Sequence, residues 1–351
     1  MDPWLGVPGN PASVHRAGQA AAMAVDRARE QVAALVGAEA SGVIFTSGAT
    51  EANHTFLRGV ESGGRVVVSP IEHPSVHGAC AMLADRGHAI EHLRVGADGV
   101  VLLPDALPAD TTLVSLMMAN HETGVIQPVQ TAAALARARG AKLHVDATQA
   151  AGRLPIDVDA DGIVLSAHKM GGPGGIGALV LRDGQPYPAL LTGGSQERGR
   201  RAGTVHTAAA VGFGAACALA SSDLEERTAR MRALSQRVHD AVRALGGRIV
   251  GATAARVPNT TCCVFPGILG ETLVQALDLR GVCVSSGAAC ASGSLEPSPV
   301  LLAMGHPQPD GALRISVGPT TEADEVQRGL RVLADVVATL RGSDDQIPIG
   351  P

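Results

Sequence analysis

Lysine is almost missing from this chain. Of its 28 basic residues only two, Lys142 and Lys169, are lysines, and the rest are arginines. An arginine stays protonated and cannot act as an amine nucleophile, so Schiff-base chemistry is excluded nearly everywhere. Lys169 stands out because it sits between His168 and the glycine run Gly171-Gly172-Pro173-Gly174-Gly175. Aromatic residues make up only 2% of the sequence, so alanine and the aliphatics must fill the core. No apolar run reaches about 18 residues, which argues against a membrane span. Net charge is −5 with no long basic block, so a nucleic-acid partner is not expected. None of the six cysteines (Cys80, Cys217, Cys262, Cys263, Cys283, Cys290) forms a Cys-x-x-Cys pair or lies in a zinc-spaced run, so no metal is expected. Met1-Asp2-Pro3-Trp4 lacks the basic and apolar regions of a signal peptide. A reduced, cytoplasmic protein is the expectation.

What is present is an alternation. Short apolar runs at Val43–Thr46, Arg65–Ser69, Leu113–Met118, Lys142–Asp146, Gly162–Ser166 and Ile176–Leu181 read as buried strands. Pro11–Val36, Pro74–Arg86 and Gln130–Gly140 read as helices between them. The pattern predicts an α/β fold with a mostly parallel sheet covered on both faces. Near residue 220 it changes. A charged amphipathic helix is expected over Ser222–Leu245, then strands at Arg248–Val250, Thr260–Phe265 and Leu313–Ser316, with helices at Glu271–Arg280 and Glu322–Leu340. The expected domains are a large one over 9–221, a smaller α+β one over 222–341, and a tail over 342–351.

Several segments carry chemistry-bearing residues. Thr46-Ser47-Gly48-Ala49-Thr50-Glu51 ends a strand and opens a helix. Its backbone N–H groups suit an anion, or Ser47 or Thr50 simply caps the helix. Asp146 lies at the C-terminal end of a strand, where open α/β sheets bind ligands, and Lys169 lies just past the next strand. An acid and a lysine so placed are what pyridoxal phosphate needs: the lysine bonds the cofactor and the acid keeps its ring nitrogen protonated. Ser166 and His168 offer phosphate donors, unless His168 is a satisfied strand-end histidine. His73 could stack on a flat ring or serve only as a turn residue before Pro74. Asn120, after an apolar strand, suits a turn, or a contact with a ring hydroxyl or a carboxylate. Arg314 is a lone charge in an apolar strand, so it needs either a substrate carboxylate or a structural acid. Gln196-Glu197-Arg198-Gly199 reads as a solvated loop, with anion or subunit contact as the alternative. Cys290, in Gly287-Ala288-Ala289-Cys290-Ala291-Ser292-Gly293-Ser294, is a nucleophile candidate or a buried thiol in a tight turn.

Taken in order, these segments resemble the NifS/IscS-type cysteine desulfurases, within the class V aminotransferases of pyridoxal-phosphate fold type I. Thr46-Ser47-Gly48-Ala49-Thr50-Glu51, Glu72-His73, Asn120-His121-Glu122-Thr123-Gly124, His144-Val145-Asp146-Ala147-Thr148-Gln149, Ser166-Ala167-His168-Lys169, Gln196-Glu197-Arg198, Ser285-Ser286-Gly287 through Cys290, and Arg314-Ile315-Ser316 carry the resemblance over nearly the whole chain. It implies a seven-stranded-type sheet in a large domain, and a cofactor of pyridoxal 5'-phosphate. Lys169 would bond that cofactor and move protons. Asp146 would pair with its ring nitrogen, Gln149 would meet its hydroxyl, and His73 would stack on it and take part in catalysis. Ala49, Thr50, Ser166 and His168 would hold the phosphate. Thr204 would reach the phosphate of a partner subunit, which implies a homodimer. Asn120 and Arg314 would hold the carboxylate of L-cysteine. Cys290 would take the sulfur as a persulfide and pass it to an acceptor such as an iron–sulfur scaffold. Another class V aminotransferase, a selenocysteine lyase, or an N-terminally truncated inactive relative are the alternatives.

Two departures from the family pattern stand out. An Ala-Thr-x-Pro-like segment normally precedes Gly9-Asn10-Pro11 by some distance. Here Met1 lies close by, so an upstream piece is expected to be missing and Met1 to be an internal methionine. That loss is expected to open the site and weaken catalysis or folding. Gly174 replaces a lysine often found there, and it should leave the core chemistry unaltered.

Overall fold

The computed structural model describes residues 1–6, 9–60, 63–182, 187–287 and 297–344. In chain order its strands are β1 (Val43–Thr46), β2 (Arg65–Val68), β3 (Ala89–His92), β4 (Arg94–Val95), β5 (Val101–Leu102), β6 (Thr111–Ser115), β7 (Lys142–Asp146), β8 (Gly162–Ser166), β9 (Gly177–Leu181), β10 (Arg248–Ile249), β11 (Thr260–Val264), β12 (Ser285–Ser286) and β13 (Ala312–Ser316). Contacts group the chain into two units. The first comprises Met1–Leu93, Leu103–Ala119 and Gln127–Leu224, and the second Arg94–Leu102, Asn120–Ile126 and Glu225–Pro351.

The first unit is built on a seven-stranded sheet in the order β1-β9-β8-β7-β6-β2-β3. Pairing is parallel from β8 through β7, β6 and β2 to β3, and antiparallel on both sides of β9. The mostly parallel sheet expected from the apolar runs is therefore observed. β1, β8 and β9 are buried along their whole length, as a doubly covered sheet requires. Helices Arg16–Leu35, Ala49–Arg58, Pro74–Asp85, Val129–Arg139 and Thr207–Ser222 belong to the same unit. With so few aromatics, those present are concentrated: Phe56 stacks on His144 and on Tyr187, each at 5.4 Å between ring centres.

Two expectations need correcting. Helix Thr207–Ser222 was not anticipated, because it is apolar on all sides and offers no amphipathic stripe to read. It packs against Arg16–Leu35. Gly214 permits the close approach, since a Cβ there would come within 2.7 Å of Ala28 Cα. The first long helix also begins at Arg16, not near Pro11: His15 caps it, its ring accepting from Gly18 N at 3.2 Å.

The second unit has a four-stranded antiparallel sheet, β10-β11-β13-β12, and a two-stranded ribbon, β4-β5. Helices Leu224–Ala244, Gly270–Asp278 and Ala323–Asp344 accompany the sheet. Met231, Leu234, Val238, Phe265, Leu273, Leu313 and Val336 form its core. No single helix among the described residues is long and apolar enough to cross a membrane.

Candidate active site

The C-terminal ends of β7 and β8 place the two central residues of the first unit. Asp146 ends β7 and is buried. One carboxylate oxygen accepts from Asn53 Nδ2 at 2.9 Å, the other from Thr148 N at 2.9 Å. Lys169 closes the single 3₁₀ turn Ala167–Lys169 that follows β8. Its carbonyl oxygen accepts from Arg153 Nη2 at 2.8 Å, while Arg153 Nη1 donates to Gln149 O at 2.9 Å. Arg153 thus ties the backbones after β7 and β8 together.

His73 caps helix Pro74–Asp85. Its Nδ1 accepts from Ser75 N at 3.1 Å, which puts the neutral ring's proton on Nε2. Burial lowers its pKa most; Asp146 opposes that shift and Lys169 adds to it. His73 therefore feels both charges of the site and is neutral at pH 7. Ser75 Oγ also meets Asn53 Nδ2 at 3.0 Å, and Asn53 Oδ1 meets His144 Nε2 at 3.0 Å. His144 Nδ1 in turn meets Ser115 Oγ at 2.9 Å. Burial pushes His144 down to about 4, so it is a neutral member of this network. Glu72 lies beside it, pushed well above the ordinary carboxylate value by burial and then by the charge of Asp146.

The N-terminus of helix Ala49–Arg58 is of the chemical kind that suits an anion. Its N-cap is Gly48, with no side-chain cap, so neither Ser47 nor Thr50 caps it as one reading had it. Glu51 instead accepts from Ser47 N at 2.8 Å and pairs with Arg201 at 2.9 Å. A Cβ added at Gly48 would meet nothing within 4 Å, so the space above this helix end is open. Ser166 Oγ lies 3.0 Å from His168 Nδ1, whose pKa is lowered by partial burial and by Lys169. Gln149 is half-buried and Thr204 is exposed. Sequence reasoning missed Asn53, Ser75, His144, Arg153 and Thr148. A polar residue inside an apolar strand, the signal used for Arg314, would have found His144.

These residues fit pyridoxal phosphate. A buried carboxylate stands at one strand end and an amine past the next. A neutral histidine feels both of them, and an uncapped helix end is open above. Among the described residues Thr148 Oγ1 is buried with no partner, a hydroxyl to spare beside Asp146.

In the second unit, Asn120 Oδ1 accepts from Glu122 N at 3.0 Å and from Thr123 N at 2.9 Å, so its amide oxygen builds the turn. Arg314, on β13, donates from Nη1 to His121 O at 2.8 Å. Among the described residues no ion pair within 4.0 Å forms at Arg314, but its charge acts on the buried carboxylate of Glu122 in the same unit. Glu122 is buried, accepts from Ser298 Oγ at 2.5 Å, and has its pKa pushed up to about 7 by burial, against the pull of Ser298 and Arg314. Cys290 lies outside the described residues. The loop at Gln196–Gly199 is solvated only in part: Arg198 and Gly199 are exposed, but Glu197 is buried in an ion pair with Arg29 at 2.8 Å.

The Glu122 shift carries a stability prediction. A carboxyl whose folded pKa is raised stabilises the fold below its unfolded value near 4.5, and that contribution is lost as pH rises through about 7. The loss is about 3 kcal/mol across this window. Glu122→Gln should remove it, so thermal unfolding curves of variant and parent should diverge between these pH values. Parallel pH dependences would show that Glu122 titrates normally.

A mostly parallel seven-stranded sheet, with an acid ending one strand and a lysine just past the next, has the architecture of the pyridoxal-phosphate fold type I. The chain belongs to the class V aminotransferase family, whose pattern matches residues 4–328. A cysteine desulfurase of Cereibacter sphaeroides is 43% identical over 349 residues, covering 95% of this chain and 89% of that protein. The cysteine desulfurase IscS of Tolumonas auensis is 40% identical, covering 95% of this chain and 86% of that one. Among solved structures, a NifS-like protein superposes with a TM-score of 0.89 at 32% identity, covering 96% of this chain and 93% of its own.

Proposed function

We propose that the protein is a cysteine desulfurase that converts L-cysteine to L-alanine and leaves the sulfur on Cys290. The observation that carries this is Lys169 beside Asp146 and His73 in a chain 43% identical to a cysteine desulfurase. Pyridoxal phosphate, when bound, supplies an electron sink conjugated to the substrate's Cα. Lys169 bonds it and moves the proton at Cα. Asp146, oriented by Asn53 and the Thr148 N–H, holds the proton at the ring nitrogen. His73, with its proton on Nε2, would stack on the ring, and Gln149 would take the ring hydroxyl. Ala49 and Thr50 at the helix end, with Ser166 and His168, hold the phosphate. Thr204 reaches the phosphate of a second copy in a homodimer.

Arg314 and Asn120 take the substrate carboxylate. The Cys290 thiolate attacks the substrate sulfur: the S–S bond forms, the C–S bond breaks, and Cβ gains a proton. The products are alanine and a Cys290 persulfide, which an acceptor such as an iron–sulfur scaffold then takes up. Residues 9–221 form the cofactor domain and 222–341 the domain carrying Cys290, in a cytoplasmic enzyme.

The test supplies purified protein with pyridoxal phosphate and L-cysteine, then measures alanine and protein-bound sulfur. Cys290→Ser should lose the bound sulfur and at least about tenfold of the alanine rate, because a serine oxygen cannot take sulfur at comparable speed. A variant that keeps full alanine output would remove Cys290 as the sulfur acceptor, and a parent that makes alanine only when pyruvate is supplied would point to a transaminase.

A further inference from the structure

Ser115, His144, Asn53, Asp146 and Ser75 are buried polar side chains of the first unit, joined by hydrogen bonds into one chain. Asn53, His144 and Ser115 are each 0% exposed. β6 and β7 run in parallel register with Ser115 beside His144. His144 and Asp146, two apart on β7, share one face of the sheet. Asn53 and Phe56, one turn apart on helix Ala49–Arg58, both meet His144: Phe56 stacks on its ring, and Asn53 Oδ1 lies 3.0 Å from Nε2.

Donor and acceptor chemistry fixes where the protons of this chain sit. A carboxylate only accepts, so Asn53 turns its amide nitrogen toward Asp146 Oδ2 at 2.9 Å, and the second N–H goes to Ser75 Oγ at 3.0 Å. Ser75 keeps its own proton for His73 Nδ1, 2.8 Å away. On the other side the Asn53 carbonyl oxygen faces His144 Nε2, which must then carry the ring proton. His144 Nδ1 accepts from Ser115 Oγ at 2.9 Å. Both ring nitrogens are thereby used in the neutral form, the form that burial favours. One amide serves Asp146 and, through Ser75, His73, and His144 holds the oxygen of that amide.

We propose that His144 is a positioning residue for the cofactor: its Nε2–H fixes the Asn53 amide, which orients Asp146 directly and His73 through Ser75. This rests on the reading of Asp146 and His73 as the groups that meet the pyridoxal-phosphate ring, and it needs no part of the sulfur chemistry. Without a donor at the Nε2 position the Asn53 amide turns about χ2. Of the two donors described for Asp146, only the Thr148 N–H then stays in place.

The test separates the two ring nitrogens. A glutamine carries its amide near the position of Nε2, an asparagine near that of Nδ1. His144→Gln therefore keeps the bond to Asn53 and gives up Ser115, while His144→Asn keeps Ser115 and gives up Asn53. Both lose the stacking on Phe56, so a role in packing alone gives them the same effect. The full chain, freed of cofactor, is titrated with pyridoxal phosphate and followed by visible absorption. We expect a Kd within about threefold of the parent for His144→Gln and about tenfold weaker for His144→Asn. The kcat for alanine should fall about tenfold in His144→Asn alone, with KM for L-cysteine within about threefold, because the substrate carboxylate is held elsewhere. Nitrogen NMR of the cofactor-free chain with isotope-labelled histidine reads the ring directly. The His144 signals, found by their loss in His144→Gln, should show the proton on Nε2 at about pH 7. A proton on Nδ1 would mean that the Asn53 amide faces the other way, and overturns the proposal. Equal Kd values for the two variants also overturn it and leave His144 a packing residue. A parent that binds the cofactor but forms no alanine defeats the desulfurase reading alone, since Kd and the nitrogen signals still report on His144.

Discussion

Lys169→Ala is expected to abolish alanine formation from L-cysteine, a loss of at least about 10⁴-fold, together with the yellow colour of the protein after addition of pyridoxal phosphate. The size follows from the composition. Only one other lysine exists, and it cannot substitute: Lys142 opens β7, the strand that Asp146 closes, and its ammonium lies 5.5 Å from the Tyr187 ring. The backbone around Lys169 is fixed from two directions. β8 delivers it past the sheet, and Arg153 holds its carbonyl at 2.8 Å. Lys169→Arg should be as inactive as alanine, because a guanidinium keeps its charge and offers no nucleophilic lone pair. Lys142→Arg should stay within about twofold of the parent, since an exposed cation beside an aromatic ring is all it replaces. The assay is alanine release, with the visible spectrum as the second readout. Retention of a tenth of the activity by Lys169→Ala would remove the Schiff-base role and the mechanism built on it.

Asp146 and Lys169 were legible because strand ends are where open α/β sheets bind ligands, and both strands read clearly as apolar runs. The residues that orient them were not. Asn53 meets Asp146 from 93 positions away, and Arg153 meets Lys169 O from 16. No local period or propensity marks such a pairing; it exists only once the strands are ordered. Ser75 looked like an ordinary residue of a helix start, yet its hydroxyl touches both His73 and Asn53. The helix end at Gly48 shows the opposite error. Ser and Thr flanking a helix start read as caps by preference, but here no side chain caps it, and the orphan N–H groups stay available. Thr207–Ser222 went unread because a helix apolar on every side has no face to detect. The pattern records what each residue prefers alone. The site depends on what the sheet order brings together.

The loop at Gln196–Gly199 shows this at the largest energetic scale. Read locally it is charged and glycine-containing, hence solvated. In the fold it closes the free edge of β1, which among the described residues pairs only with β9. An open edge exposes unpaired N–H and C=O groups that invite other strands. Here Phe45 N donates to Glu197 Oε2 at 2.8 Å, and Val43 O accepts from Arg29 Nη1 at 2.7 Å. Arg29 and Glu197 bond each other bidentately, both contacts 2.8 Å, and the guanidinium lies 4.9 Å from the Phe45 ring centre. Arg200, also buried, donates to Ser41 O at 2.8 Å. Reaching this position forces Glu197 and Arg198 into left-handed backbone, φ 50° and 59°, a cost of about 1 kcal/mol or more each. Only a contact network that fixes them firmly sustains that conformation. Glu197→Ala removes the partner of a buried cation and orphans Phe45 N–H together. It should destabilise the protein by about 3–5 kcal/mol, a drop of about 10 °C in Tm for a domain of this size. Arg29→Met with Glu197→Leu should cost less than the sum of the two single changes, because no unpaired charge remains; the bare edge groups keep a residual loss of about 1–3 kcal/mol. Thermal unfolding of the three variants measures this coupling. A Glu197→Ala protein within about 1 kcal/mol of its parent would mean that the edge of β1 is held by something other than this pair.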